Sequence, residues 1–440
     1  MGFSCSLTTV VTISLAIGFS YCLQAPNKFA VELYKSVAKT GGTDKNVALS
    51  PFSAEAALSM TYVGAAGTTK SELASVLGLG DDGVATLARK FKSINAGSQD
   101  YVLQSANGIF LEKTYEILSN FRSSVTNDFR ANISTVDFVN QADQSRVRIN
   151  SFVEEKTNNK IRDLFSAGSL DSDTRLVLVN AVYFKAQWEK KFEKDLTKEQ
   201  PFTLANGQQK QVQLMNLGFD QFVPYAKVAE LDGAQVVELQ YAGDETSMVV
   251  ILPRKESGLR ALEGSLTAAT LKSTLEKLSQ REVNVFLPKF KVETDYNLVE
   301  ELKAMGIKAA FEETADFSLI SSQGALKISK VVQKVFVNVD ENGTEAAAAT
   351  GVQMMLESAM FSPDEPVTFR VDRPFLYLIR HKATNSVLFL GKVADPTVEN
   401  TSKYAEVACP SGTLFCLSVN GMIHRDEGVP GNVPGNVTIL

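Results

Sequence analysis

Residues 331–360 read VVQKVFVNVDENGTEAAAATGVQMMLESAM, and two different patterns meet inside this stretch. In the first part, Val335, Val337 and Val339 alternate with other residues, which predicts a strand with one aliphatic face. From residue 341 to residue 350 the chain then carries only Glu, Asn, Gly, Thr and Ala. These side chains are too small to build a core of their own, so the segment needs another explanation.

The small-residue segment would fit between two strands of an existing sheet, because side chains alternate between two faces along a strand. The inward face would carry only small residues: Thr344, Ala346, Ala348 and Thr350. The outward face would carry Glu345, Ala347 and Ala349. Gly343 would give the backbone the freedom to bend into the sheet. The alternative interpretation is an exposed Ala-rich helix, since Ala and Glu both favour helix.

The composition is that of a globular protein, since the 440 residues are 44% hydrophobic and 21% charged. The formal net charge of −6 at pH 7 disfavours a nucleic-acid partner. Chains of this length often divide into two or three domains. However, no linker rich in Gly, Ser or Pro interrupts residues 25–397, so we expect one large domain.

The N-terminus resembles a secretory signal peptide. Residues 7–19 are apolar or small and uncharged, and the small residues Ser20 and Cys22 follow. The alternative, a membrane anchor, needs about 20 apolar residues, and this run is shorter and contains Thr and Ser. We therefore predict a signal peptide at residues 1–22, a secreted, extracellular protein and no membrane partner.

Helical patterns cluster early in the chain and strand patterns late, which predicts an α+β fold. We expect helices at 27–39, from about 50, near 69–78 and at 296–306. Ser50 or Ser53 would cap the second of these helices, and Thr69 with Glu72 would form a capping box. Strands are expected near 174–184, 247–253, 282–294, 367–380 and 386–393.

No catalytic arrangement is visible in the sequence. The chain has only two histidines. His381 is expected to be a surface residue at a strand end, and His424 lies near the C-terminus in a segment of loose composition. The sequence contains neither an HExxH motif nor a phosphate-binding Gly-rich loop nor a CxxC pair. Hydrolase and metalloenzyme functions are therefore disfavoured, and we expect no cofactor, no metal and no enzymatic activity.

From about residue 27 to 396 the chain resembles the serpins, and most closely their arthropod members. Five blocks, in the family's order, carry the resemblance: NVALSPFSAEAAL (46–58), FVEEKTNNKIRDLF (152–165), LVLVNAVYFKAQWEKKF (176–192), ENGTEAAAAT (341–350) and FRVDRPFLYLI (369–379). The resemblance implies a serpin domain over residues 23–397, with three β-sheets and eight or nine helices. It also implies an exposed reactive-centre loop at about 341–366.

The resemblance further implies a suicide inhibitor of serine proteases. The protease would form a covalent acyl-enzyme with the loop, and the cleaved loop would insert into the family's main sheet. The family's spacing from Glu341 places the scissile bond at Glu357–Ser358, while Met355 and Leu356 are alternatives that suit chymotrypsin- or elastase-like pockets. The alternatives in function are a non-inhibitory carrier or storage serpin, and an inhibitor of cysteine proteases.

Several supporting residues are also implied by the resemblance. Glu341 would pair with Lys289, near Trp188, as a latch where insertion begins, or as a modest surface ion pair. Ser50, Ser53 and Asn180 match polar residues beneath the opening sheet. Gln333 stands where many serpins have His, and its amide can still donate and accept.

Sequons occur at Asn132, Asn342, Asn400 and Asn436. We expect glycans at all of these except Asn342, which lies in the hinge. A helix near 81–95 carries basic residues that would form either a weak site for a sulfated polysaccharide or a solvated face: Arg89, Lys90 and Lys92. We expect a monomer.

The chain continues beyond the family's usual end. Residues 398–440 include the low-complexity repeat GVPGNVPGNV, and we predict that this extension is mostly disordered. Its Cys409 and Cys416 either pair with each other or stay free. The other two cysteines, Cys5 and Cys22, lie in or at the end of the predicted signal peptide.

Overall fold

The computed structural model describes residues 27–42, 44–80, 83–95, 100–344, 365–398, 415–417 and 423–425. These ranges contain nine α-helices: α1 Lys28–Gly41, α2 Pro51–Gly64, α3 Gly67–Leu77, α4 Gly83–Asn95, α5 Ser119–Phe129, α6 Phe138–Lys156, α7 Leu259–Ser265, α8 Ala268–Lys277 and α9 Val299–Met305. The predicted signal peptide lies outside the described residues. Among those that are described, no helix is both long and apolar enough to cross a membrane.

Eighteen strands accompany the helices in the described ranges. They are β1 Val47–Leu49, β2 Tyr101–Glu112, β3 Asn132–Val136, β4 Leu176–Gln187, β5 Lys198–Thr203, β6 Gln209–Asn216, β7 Phe222–Val228, β8 Ala234–Gln240, β9 Thr246–Leu252, β10 Ser279–Pro288, β11 Phe290–Asn297, β12 Ile328–Asp340, β13 Gly343–Thr344, β14 Val367–Arg370, β15 Phe375–His381, β16 Ser386–Val393, β17 Phe415–Leu417 and β18 Ile423–Arg425. The α+β prediction is confirmed.

The strands form three main sheets, two of which are joined. A six-stranded sheet has the order β11-β12-β13-β4-β2-β3. A ten-stranded sheet has the order β1-β16-β15-β9-β8-β7-β10-β6-β5, with β14 beside β10. Strand β10 pairs with β7 through Ser279–Glu282 and with β6 through Phe286–Pro288. Because one strand serves both halves, the ten strands are two sheets connected through β10.

The six-stranded sheet is buried on both faces near its centre. Val335, Val337 and Val339 of β12 join the cluster of apolar side chains that lies between the two large sheets. The opposite face packs against α6 through a second cluster that includes Phe138 and Phe336. The predicted aliphatic face of β12 is therefore confirmed, but the other face is also covered over part of its length.

The predicted helix positions agree with the structure, whereas one predicted cap does not. The Ser53 N–H donates to Ser50 Oγ at 3.4 Å, so Ser50 caps α2. Helix α3 begins at Gly67, before the expected capping box. Glu72 instead accepts the N–H groups of Lys308 and Ala309, and Thr69 accepts that of Asp316. Both side chains therefore connect α3 to a distant segment, which the local motif could not reveal.

The expectation that His381 is a surface residue is wrong. His381 is only 5% exposed at the end of β15. Its Nδ1 lies 2.9 Å from the Thr384 hydroxyl, and its ring contacts Tyr101 edge-on. Burial lowers its pKa. The imidazole therefore holds the turn between β15 and β16 in place.

The C-terminal part of the domain is fixed to the fold as far as Val398, whose carbonyl oxygen accepts a hydrogen bond from Asn46 Nδ2. Farther along, β17 and β18 form an antiparallel pair, with Cys416 opposite His424. Cys409 and the remaining residues of the extension lie outside the described ranges. The domain boundaries and the disorder of the extension therefore stay predictions.

Candidate functional site: the parted strands and the loop hinge

The six-stranded sheet is closed at one end and parted at the other. Strands β4 and β12 pair directly in parallel from Leu176 opposite Ile328 to Tyr183 opposite Phe336. Beyond this point they separate, and β13 lies between them. Thr344 pairs with Val339 of β12 on one side and with Ala186 of β4 on the other. Gly343 and Thr344 of the small-residue segment thus already form a short central strand.

Gly343 is required by the geometry of this short strand. Its φ of +151° lies in a region that residues with a side chain rarely adopt. A Cβ atom at this position would lie 2.1 Å from Ala186 O and 2.7 Å from Gln187 Cα. Both contacts are with backbone, which cannot move aside as a side chain can. The backbone freedom expected of Gly343 is thus combined with a close approach between strands.

Thr344 is fully buried, and its hydroxyl lies 2.6 Å from the Tyr241 hydroxyl. The Tyr241 ring stacks on Trp188 with 4.5 Å between centroids and 5° between planes. Burial raises the pKa of Tyr241, which keeps the phenol protonated. Thr344 therefore faces inward, as the alternation predicts. The other hinge residues lie outside the described ranges: Glu345, Ala346, Ala347, Ala348, Ala349 and Thr350.

Contacts from three segments surround Glu341 at the turn between β12 and β13. Lys289 Nζ lies 2.9 Å from Glu341 Oε2, and the Thr197 hydroxyl donates to Oε1 at 3.0 Å. The Phe192 N–H donates to the Glu341 carbonyl oxygen. Burial alone would raise the pKa of Glu341, but the hydrogen bonds and the charge of Lys289 lower it overall. The carboxylate is therefore ionised at neutral pH.

Trp188 also supports the turn, through both of its N–H groups. Its indole N–H donates to the Asp340 carbonyl oxygen at 2.9 Å, and its backbone N–H donates to the Asn342 carbonyl oxygen at 2.9 Å. The structure thus brings Lys289, Trp188 and Glu341 together around the start of the loop.

The predicted polar residues beneath the sheet form one buried network. Gln333 Nε2 donates to Asn180 Oδ1 at 2.6 Å and to the Ser50 carbonyl oxygen at 2.9 Å. Gln333 Oε1 accepts the Ser50 N–H at 3.0 Å. Asn180 Nδ2 donates to Ser53 Oγ. The amide of Gln333 therefore joins β12 to β4 and to the start of α2.

Sequence reasoning missed Asn107 in this network. Its Oδ1 accepts from Asn180 Nδ2 at 2.5 Å and from the Ser53 hydroxyl at 3.2 Å. No signal in the sequence sets Asn107 apart, because the polar residues Gln104 and Ser105 precede it within β2. Asn107 extends the network across β4 to the next strand.

The structure also shows the contacts of the sequon at Asn132 and of the basic residues on α4. Asn132 is half-buried at the start of β3, and its Nδ2 donates to the hydroxyl of Ser134 in its own sequon. On α4, Lys90 pairs with Glu55 at 3.0 Å and Lys92 pairs with Asp128 at 3.4 Å. Arg89 bonds back to its own helix. These contacts favour a solvated helical face over a polysaccharide site.

Several predicted sites lie outside the described residues. They are the proposed scissile bond Glu357–Ser358, its alternatives Met355 and Leu356, and the sequons at Asn400 and Asn436. Within the described ranges, no group of three or more His, Cys, Asp or Glu residues is arranged to hold a metal ion.

Comparisons with known proteins agree with these features. A family model described as "Serpin (serine protease inhibitor)" matches residues 24–396. Serpin B6 from Pongo abelii is 39% identical over 381 residues, which cover 85% of this chain and 99% of that protein. Leukocyte elastase inhibitor from Xenopus tropicalis is 38% identical, covering 84% of this chain and 97% of the relative.

A solved structure shows the same architecture. Serpin48, described as a highly specific serpin in the insect Tenebrio molitor, aligns with a TM-score of 0.75 and 32% identity. The alignment covers 86% of this chain and 99% of that one. From its family match, its relatives and its fold, we conclude that this chain belongs to the serpin family.

Proposed function

We propose that this protein is a secreted suicide inhibitor of serine proteases, which traps the acyl-enzyme by inserting its cleaved loop into the six-stranded sheet. The observation that carries the proposal is β13. Two residues of the loop already lie between β12 and β4, at the only end of that interface where the described strands are parted. The rest of the loop would enter by separating the strands below.

The pairing of β13 fixes the register that an inserted loop would follow. Continuing from Gly343 opposite Gln187 and Thr344 opposite Ala186, Ala346 would lie opposite Phe184 and Ala348 opposite Val182. The same continuation along β12 places these two alanines opposite Val337 and Val335. All four partners belong to the apolar cluster between the sheets. Alanine can enter there without displacing its neighbours, whereas a long or charged side chain cannot.

The continued register also places Thr350 between Asn180 and Gln333. These two residues are direct partners across β4 and β12 in the present structure, joined by the 2.6 Å hydrogen bond. Insertion would have to break this bond, and the Thr350 hydroxyl could then donate and accept in its place. The hydrogen bond between Asn180 and Gln333 would therefore oppose separation of β4 and β12. New hydrogen bonds to Thr350 would replace it after insertion.

The chemistry follows from attack on the loop as a substrate. The protease serine Oγ would attack the carbonyl carbon of Glu357, and the peptide C–N bond to Ser358 would break. An acyl ester would remain on the protease, and the new amino terminus would leave with the C-terminal fragment. Met355 and Leu356 are the alternative acyl residues.

Insertion would then carry the acylated protease a long way. The 14 residues from Thr344 to Glu357, at about 3.3 Å each, span about 46 Å. Each new backbone hydrogen bond to β4 or β12 stabilises the inserted state by about 1 kcal/mol. This movement would deform the protease before water can hydrolyse the ester.

Incubation with a panel of serine proteases of different specificity tests the proposal. We expect a complex that survives SDS electrophoresis, and sequencing of the released C-terminal fragment should begin at Ser358. A start at Leu356 or Glu357 would move the bond to Met355 or Leu356. Cleavage without any stable complex would exclude the inhibitory mechanism and leave the carrier or storage function.

Cysteine proteases should be added to the panel, since the sequence of the hinge does not discriminate between the two classes of protease. A stable complex with a cysteine protease, and none with a serine protease, would show that the protein is an inhibitor of cysteine proteases. The relative from Xenopus tropicalis is named for inhibition of an elastase, so elastase-like proteases belong in the panel.

We also propose that the protein is exported as a glycosylated monomer. Support comes from the predicted signal peptide and from Asn132, which lies half-buried at the start of β3. Mass spectrometry of the exported protein should find glycans on Asn132 and an unmodified Asn342. An occupied Asn342 would argue against inhibition, because that residue lies in the hinge turn held by Trp188.

A further inference from the structure

The Asn–Gly pairs of the chain differ in how firmly the structure holds them. When glycine follows asparagine, the glycine backbone nitrogen can attack the side-chain carbonyl carbon of the asparagine, because glycine has no Cβ to obstruct the approach. The pairs begin at Asn107, Asn206, Asn342 and Asn420. The first three lie within the described residues, and the fourth lies outside them.

Two of these asparagines are held by their side chains. Asn107 is 6% exposed inside β2, and its Oδ1 accepts two hydrogen bonds. Asn206 is exposed, but its Oδ1 and its Nδ2 both bond to Gln208. The N–H that follows it, that of Gly207, donates to the Leu204 carbonyl oxygen at 2.9 Å. In both pairs, hydrogen bonds must break before the side chain can close a ring with the next nitrogen.

Asn342 is held by its backbone alone. It lies in the two-residue turn between Asp340 of β12 and Gly343 of β13, and it is half-buried. Its N–H donates to the Asp340 carboxylate at 2.7 Å, and its carbonyl oxygen accepts the Trp188 N–H at 2.9 Å. Its side-chain amide makes no hydrogen bond within the described part of the chain. Among the three described pairs, this side chain is therefore the one that can turn toward the next nitrogen without breaking a hydrogen bond.

We propose that Asn342 is a site of spontaneous modification, at which the hinge turn converts to isoaspartate and the protein loses its inhibitory activity with age. The Gly343 nitrogen forms a bond to Asn342 Cγ and gives up its proton, while the Cγ–Nδ2 bond breaks and ammonia leaves. Water then opens the resulting succinimide. Cleavage at the main-chain carbonyl carbon gives isoaspartate, and cleavage at Cγ gives aspartate.

Isoaspartate would lengthen the turn by one backbone atom, where the spacing is fixed on both sides. Gly343 lies so close to β4 that an added Cβ would be 2.1 Å from Ala186 O, so its backbone has no room to shift. The Thr344 hydroxyl is held 2.6 Å from the Tyr241 hydroxyl. A longer turn cannot keep both contacts. We therefore expect the modified loop to be cleaved without starting insertion, an expectation that rests on the proposed function.

Ageing the full, uncleaved protein in a warm, mildly alkaline buffer tests the proposal. Peptide mass spectrometry that separates aspartate from isoaspartate follows each site, and electrophoresis follows SDS-stable complex formation with the protease found in the panel. We expect isoaspartate to form at Asn342 at least about tenfold faster than at Asn107, where buried hydrogen bonds must break first. The yield of complex should fall by the fraction of molecules that carry isoaspartate at residue 342. Equal conversion at the two sites, or an unchanged yield of complex, would overturn the proposal.

The mass measurement needs no protease, so it decides whether Asn342 is a modification site even if the proposed inhibition fails. Trp188 is the only tryptophan of the chain, and its backbone N–H holds the turn. Its fluorescence should therefore change as isoaspartate accumulates at residue 342. Emission that stays constant during this conversion would refute the proposed loss of the turn.

Two variants assign the loss of inhibition to residue 342, each compared with its own fresh sample. Asn342→Gln adds a methylene, so the side chain would have to close a six-membered ring, which is much slower. This variant should keep its initial yield of complex during ageing, whereas Asn206→Gln, the matched control at another Asn–Gly pair, should lose it as the unmodified protein does. Equal losses in both variants would show that the decline has another cause.

Enzymatic repair of the aged, unmodified sequence provides a test that needs no variant. A protein-L-isoaspartate methyltransferase with its methyl donor converts isoaspartate to aspartate, which restores the ordinary length of the backbone. Treatment of the aged protein should therefore recover the SDS-stable complex. Removal of isoaspartate from residue 342 without any recovery would contradict the proposal.

Discussion

Replacing Gly343 by Ala should convert the protein from an inhibitor into a substrate. The new Cβ would meet Ala186 O at 2.1 Å and Gln187 Cα at 2.7 Å, and φ would stay at +151°. A residue with a side chain in such a backbone conformation costs about 1–3 kcal/mol, before any overlap is counted.

The Gly343→Ala variant could avoid this strain only if β13 left the sheet, and that is unfavourable too. If β13 leaves the sheet, the Tyr241 hydroxyl loses Thr344, its only recorded partner in the described residues. An unpaired buried hydroxyl costs about 1–3 kcal/mol. By either route the start of insertion is disfavoured by about 1–3 kcal/mol, and about 1.4 kcal/mol within this range corresponds to about tenfold in rate.

Slower insertion gives water more time to hydrolyse the acyl-enzyme. We therefore expect the ratio of cleaved inhibitor to stable complex to rise about tenfold, while cleavage of the loop continues. The assay is a titration of protease activity, with SDS electrophoresis to separate the stable complex from the cleaved inhibitor.

Gly207→Ala is the control, because Gly207 also has a positive φ, +83°, but its Cβ would meet nothing within 4 Å. Gly207→Ala would therefore introduce backbone strain but no steric overlap with neighbouring atoms. If Gly343→Ala inhibits with the stoichiometry of the unmodified protein, the role assigned to β13 is wrong.

Three further predictions concern the hinge and one buried ion pair. Thr344→Arg places a long cation where a side chain is fully buried, so the loop should still be cleaved but form no SDS-stable complex; an unchanged yield of complex would contradict this. The pKa of Glu341 is lowered from its ordinary value of about 4.5. The ionised carboxylate should therefore stabilise the fold fully above pH 4.5, and this contribution should disappear as the pH falls through the lowered pKa. Unfolding of Glu341→Gln and of the unmodified protein should therefore converge in acid; a constant difference would argue against the pair with Lys289. Glu263→Val leaves Lys392, which is 0% exposed and lies 3.1 Å from Glu263, as a buried unpaired charge, so denaturant unfolding should show a loss of about 3–5 kcal/mol; a loss below about 1 kcal/mol would mean that water reaches the lysine.

The fold and the hinge could be predicted because their signals are local. The aliphatic face of β12 follows from alternation alone, and the run of small residues after Gly343 marks a segment that can enter a sheet. The inward direction of Thr344 follows from the same alternation. The motif blocks then supplied the family, which the comparisons confirm.

The features that could not be predicted depend on distant parts of the chain. His381 looks like a strand-end residue, and only the packing of β15 against its neighbours buries it. Thr69 and Glu72 have the spacing of a capping box, but their partners lie more than 200 residues away in sequence. Strand β7 leaves β8 to pair with β10, and no local pattern in the sequence indicates this change of partner.

The most direct measurement compares the melting temperature of the intact protein with that of protein cut once within residues 345–364. A chain held in a metastable state, with a strand missing from its sheet, should gain stability when the cut loop enters. We predict a clearly higher melting temperature for the cut protein, and little gain for cut Thr344→Arg. Equal melting temperatures of the intact and cut protein would contradict the account.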